Sequence, residues 1–157
     1  MSTETVNQLI DRLTQAGPLT AERFTALLGA PVTPSEENPY WKFYTFVLPQ
    51  GPFANGELRL KTTGDSALLI LWPREPLGLG TADIDRAALG SRTGMLPNPR
   101  IPPEGIETEY FQRGTVEVAT QWWRTSRKLR SLVLKWAPPA AEAPANTPPQ
   151  ATAPSPN

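Results

Sequence analysis

The sequence predicts an α+β protein with two N-terminal helices, one short connecting helix and an antiparallel sheet of about six strands. Three observations predict it. Apolar residues recur at helical spacing in the first thirty positions. Further on they run in short segments bounded by Pro and Gly. Between Ile106 and Trp136 three successive stretches alternate with period two, the signature of strands with one buried face.

In the first helix Val6, Leu9, Ile10 and Leu13 share a face, Ser2 or Thr3 is placed to cap it, and Gly17-Pro18 stops it. Thr20 caps a second, in which Phe24, Leu27 and Leu28 form the stripe and Gly29 the stop. Both stripes read as core packing. Pro31 to Pro39 reads as a polar, proline-rich loop. Trp41 to Leu48 is a strand too apolar for one exposed face, so either it is covered on both sides or its outer aromatics meet a partner. In Glu57–Lys61, Leu58 and Leu60 point inward, and Ala67–Trp72 is a continuous apolar strand. Thr81 opens the short helix, with Ile84, Ala87, Ala88 and Leu89 on one side and Gly90 at its end. Residues 91–105 hold four prolines and little periodicity, which reads as a long loop, functional or mobile.

The last three strands give a register. With Gly114 at positive φ, Gln112-Arg113-Gly114 fits a three-residue hairpin loop. Tyr110 then faces Val116, Thr108 faces Val118, and Glu109 meets Glu117 on an exposed face. A two-residue loop instead puts Glu107 and Glu109 on the face of Val116 and Val118. Burying an unpaired carboxylate costs more than an exposed repulsion, so the longer loop is expected. An odd-length second turn within Arg124–Lys128 sets Leu132, Leu134 and Trp136 beside Val118 and Trp122. Trp123 then falls on the other face with Arg124, Arg127 and Lys128.

Residues 1–137 suffice for a single domain with a core. From Pro138 to Asn157 there are seven prolines and one charged residue, Glu142. That composition buries too little to offset ordering entropy, so a disordered Pro/Ala-rich tail is expected.

Composition excludes several functions. Without cysteine there is no disulfide, thiolate nucleophile or cysteine metal site. Without histidine the commonest metal ligand and general base are missing. Fifteen basic and fifteen acidic residues balance, which argues against a nucleic-acid partner. No secretory signal or membrane-spanning apolar run is visible, so a cytoplasmic protein follows by default. Asp83 and Asp85 read as acids at a helix start. Gly78-Leu79-Gly80 lacks the lysine of a phosphate loop. No cofactor or metal is implied.

Two surfaces remain. Glu107, Glu109 and Glu117 could cluster as hydrolytic carboxylates, though a solvated face explains them more simply. The stretch Trp122 to Arg130 sets Trp123, Arg124, Arg127, Lys128 and Arg130 at a hairpin tip. Such a tip suits a protein hot spot, rich in Trp and Arg, or the stacking and phosphate contacts of single-stranded nucleic acid.

The segment Thr20-Ala21-Glu22-Arg23-Phe24 through Leu28-Gly29, followed by antiparallel strands, resembles the helix-loop-strand module of β-lactamase-inhibitor-like proteins. Outer-membrane assembly lipoproteins of similar design and small bacterial toxin-immunity proteins share this look. The likeness covers the first half of the chain. The lipoprotein branch calls for an acylated cysteine, which this sequence lacks. The resemblance implies a non-enzymatic binding protein whose sheet or loops block another protein, most concretely a cytoplasmic immunity or inhibitor protein facing a toxin.

Overall fold

The computed structural model describes residues 5–15, 19–75, 78–98 and 105–137. The sequence-predicted stop at Gly17-Pro18, the tail 138–157 and the stretch 99–104 of the expected loop lie outside them. Two helices, α1 (Val6–Thr14) and α2 (Ala21–Leu28), precede eight strands. These are β1 (Thr33–Glu37), β2 (Trp41–Val47), β3 (Phe53–Lys61), β4 (Ala67–Pro73), β5 (Ser91–Asn98), β6 (Ile106–Arg113), β7 (Val116–Trp123) and β8 (Leu129–Trp136). They form one sheet in the order β1-β2-β3-β4-β8-β7-β6-β5, every pairing antiparallel. It consists of two four-stranded meanders joined where β4 meets β8.

The helices form where the apolar spacing places them. Thr5, rather than Ser2 or Thr3, caps α1: its hydroxyl accepts from the Gln8 N–H while the Gln8 side chain accepts from the Thr5 N–H. Thr20 caps α2, and Gly29 ends it at φ 71°. Their buried residues, including Ile10, Leu13 and Phe24, join one core with Leu58, Leu69, Leu134 and Val118. Phe24 meets the Trp136 ring edge-on at 5.2 Å. Both helices therefore pack on a single side of the sheet.

The sheet has eight strands where about six are read from the pattern. The two extra ones are its edges. Every residue of β1 is exposed, so no buried face imposes alternation on it. Of β5, the stretch Ser91–Thr93 and Met95–Pro97 are exposed. Prolines at 34 and 97 fit edge strands, which do not need every ladder donor. Residues 91–98 are thus an edge strand and not a loop. The expected short helix is also corrected: two single 3-10 turns, Thr81–Asp83 and Arg86–Ala88, stand in its place. Ile84 and Leu89 are buried while Ala87 and Ala88 are exposed, so no continuous stripe holds one helix together.

The β6–β7 register is shifted by three residues from the expected one, which puts each side chain of β6 on the opposite face. Arg113 pairs with Val116, leaving the two-residue turn Gly114-Thr115, with Gly114 at φ 63°. Tyr110 faces Ala119, and Thr108 faces Gln121. Glu109 is consequently on the helix side, 6% exposed. Only an unpaired carboxylate would weigh against this register, and Glu109 is paired. Arg86 Nη1 stands 2.9 Å from Glu109 Oε1, and Arg92 Nε stands 3.5 Å from Oε2. Those partners come from the 3-10 turn and from β5, the two segments whose structure the sequence pattern does not reveal. The β7–β8 expectation agrees with the pairing: Leu132, Leu134 and Trp136 face Thr120, Val118 and Val116.

Candidate protein-docking face

The strand pairings sort side chains onto two faces. One carries Leu58, Leu69, Leu134, Val118 and Phe111 and is covered by the helices and by the segment holding Leu79, Ile84 and Leu89. The other carries Trp41, Phe43 and Val47 of β2, Leu68, Ile70 and Trp72 of β4, Val133 of β8, Trp123 of β7, Tyr110 of β6 and Leu96 of β5. No described helix covers this second face. Val47 is 73% exposed, Leu96 61% and Trp72 37%. At its centre small side chains lie beneath larger ones: Ala119 is buried between Tyr110 and Val133, to which it is paired. Ile106 and Ala119 are buried yet belong to no part of the helix-side core. Trp41 and Phe43 of β2 are thus on a face that no described helix covers.

Polar contacts tie this face down. The Ser131 hydroxyl lies 2.6 Å from Gln121 Oε1, which also accepts from Arg130 Nη1 at 2.9 Å. Arg59 pairs with Glu57 and lies 5.3 Å from the centre of the Phe43 ring. Both charged side chains are partly exposed, so this pair fixes geometry more than it adds stability.

The hairpin tip divides the five residues picked out by sequence. Trp123 is half-buried on the open face, with the Arg130 guanidinium 5.6 Å from its ring centre. Arg124 is exposed and its N–H donates to the Gly105 carbonyl at 3.0 Å. Arg127 turns the other way, its Nη1 2.8 Å from Glu107 Oε1. Lys128 runs its stem beside Gly78. The expected cluster of Trp123 with Arg124, Arg127 and Lys128 on one face is therefore corrected: Trp123 and Arg130 come together, while Arg127 turns to Glu107. The turn responsible is unusual. Arg127 has φ 60°, and its N–H donates to the Trp123 carbonyl at 3.0 Å. A long side chain in the left-handed region carries strain of about 1 kcal/mol or more.

Next to Trp123 lies a cleft of about 530 Å³ at one corner of the open face, lined by Trp72, Pro73, Trp123, Leu129 and Arg130 among others. Trp72 is a member of this cleft that the basic hairpin tip does not include. Its signal was present: in Ala67–Trp72 it stands out of phase with the inward residues Leu69 and Leu71.

The carboxylates do not gather. Glu107 and Glu109 face the helix side, each against arginine, whereas Glu117 pairs with Lys135 across β7–β8 on the open face. Asp83 Oδ2 accepts from the Gly80 N–H at 2.7 Å, and the Asp85 backbone is held by the Asn7 side chain. No group of three or more His, Cys, Asp or Glu among the described residues could hold a metal. No helix among them is long and apolar enough to cross a membrane. Compared with protein-family models, with curated proteins and with solved structures, the chain matches none.

Proposed function

We propose that this chain is a non-enzymatic protein-binding protein, acting in the cytoplasm as an immunity or inhibitor protein that occludes a toxin. The uncovered sheet face carries the reading. Seven strand spacings of about 4.8 Å and strands of about seven residues at 3.3 Å give a platform of roughly 34 by 23 Å. Its area, about 800 Å², is what one partner contributes to a specific interface of standard size. Apolar side chains on it are interspersed with charged residues such as Glu57, Arg59 and Lys135, a mixture common to non-obligate interfaces. Trp72, Trp123 and Arg130 are of the types that dominate interface hot spots.

Nucleic acid is the weaker reading. The net charge is zero, and Arg127 and Arg130 are engaged with Glu107 and Gln121. One set of titrations separates the two. Against a purified protein partner, Trp123→Ala is expected to weaken binding by about 2 kcal/mol or more, with Arg23→Ala on α2 as the unaffected control. Single-stranded oligonucleotides are expected not to bind at about 0.15 M salt, where surface charges are screened beyond roughly 8 Å. Micromolar binding of such strands would overturn the assignment.

A further inference from the structure

The cleft beside Trp123 has a chemistry of its own. Two indoles, Trp72 and Trp123, line it with Pro73 and Leu129. Trp72 is 37% exposed and Trp123 half-buried, so both rings present surface at the cleft. The cations around it are already satisfied. Arg74 donates to the carbonyls of Gly51, Leu48 and Phe53 at 3.0, 2.6 and 3.2 Å. Arg130 is taken up by Gln121 and by the Trp123 ring. The site thus presents flat apolar plates between arginines that already have partners, and the Glu75 carboxylate in its lining disfavours an anionic ligand.

An extended proline-rich segment answers that description. Polyproline II has no internal hydrogen bonds, so its carbonyls look outward for donors. Its rings pack on aromatic plates, and its stiffness lowers the entropy lost on binding. The chain itself carries such a stretch. From Ala143 to Asn157 there is no charged residue, and Pro148-Pro149, Pro154 and Pro156 lie within it. We propose that the Trp72–Trp123 cleft binds a polyproline II segment and that its occupant is residues 146–157 of this same chain.

Reach permits it. Strand β8 starts at Leu129, beside the cleft, and ends at Trp136. Its seven steps at about 3.3 Å carry the chain roughly 23 Å away. A return at about 3.1 Å per residue uses roughly eight residues, about as far as Ala145. The composition that keeps this segment from building a core does not keep it from lying on one. Tethering supplies a local concentration on the order of millimolar, so even a weak intrinsic affinity fills the cleft. The segment would then lie across the corner of the docking face and compete there with a partner. This adds a resident competitor to the proposed docking reading, while the binding event itself stands independently of it.

The test uses the full chain. The indole N–H resonances of the five tryptophans are compared between wild type and a variant carrying Pro148→Ser, Pro149→Ser, Pro154→Ser and Pro156→Ser, with Trp72→Phe and Trp123→Phe supplying the assignments. Signals of Trp72 and Trp123 are expected to move, while those of Trp41, Trp122 and Trp136 stay in place. A synthetic peptide of residues 144–157, added to the proline-less variant, should return both signals to their wild-type positions saturably. The wild-type positions should not change on tenfold dilution. Unmoved Trp72 and Trp123 signals would overturn the proposal. A dilution-dependent shift would overturn occupancy by the same chain. If Trp123→Ala still weakens a protein partner while the proline variant is silent, the docking-face reading survives and only this proposal fails.

Discussion

Gly114 turns the β6–β7 hairpin at φ 63°, with nothing within 4 Å of where a side chain would start. Space is therefore not what excludes other residues; backbone strain is. Gly114→Val is expected to destabilise the protein by about 1–2 kcal/mol in urea unfolding. Gly56 is limited by space instead: a Cβ there would stand 2.2 Å from the Ile70 carbonyl oxygen and 2.5 Å from the Phe46 ring. The left-handed requirement at 114 was legible in the sequence, because glycine after two polar residues between alternating runs marks a turn. The close approach at 56 was not, because it depends on which ring lies across the pair. Glu109 was misread for a related reason. Its partners, Arg86 and Arg92, lie 23 and 17 positions away in the chain, and no local pattern announces them. Glu109→Gln leaves the two guanidiniums facing a neutral group. A loss of about 1–3 kcal/mol is expected, discounted for the partial exposure of both arginines. A neutral result would mean that water screens the cluster.

The strands with one buried face, β3, β4 and β8, were readable from alternation or an apolar run, and α1 and α2 from their stripes. The two edge strands were not, since an edge with exposed side chains has no buried phase to display. This gives a prediction for β5. Amides of residues 91–98 that pair with β6 should exchange slowly, and those pointing outward should exchange fast. Uniformly fast exchange would return the segment to a loop. The turn between β3 and β4 offers a pH test. The Thr63 hydroxyl donates to Asp65 Oδ1 at 2.6 Å. That hydrogen bond, with Lys61 nearby, holds the Asp65 carboxyl below its ordinary value. A carboxyl so lowered supports the folded turn above its unfolded pKa of about 3.9 and loses that support as pH falls through the folded value. Carboxyl titration by NMR should place Asp65 low in the wild type and nearer the ordinary value in Thr63→Ala.

At the scale of the whole molecule, the described residues form a layer of helices on one side of a sheet, and no described helix covers the other side. Its two meanders, β1–β4 and β5–β8, meet last strand to last strand at β4–β8, so each half extends the same platform. The sequence located one part of it, Trp123, and the β2 aromatics suggested another. The platform itself was not legible, because it is assembled from alternate residues of strands whose order in the sheet departs from their order in the chain. The most direct test is site-specific photo-crosslinking from both sides of the full chain. Crosslinkers at Phe43, Ile70 and Trp123 sample the open face, and crosslinkers at Glu22 and Arg23 sample α2. The account predicts that the three open-face positions capture one and the same protein and that the α2 positions do not. Capture from α2 with silence at 43, 70 and 123 would contradict it.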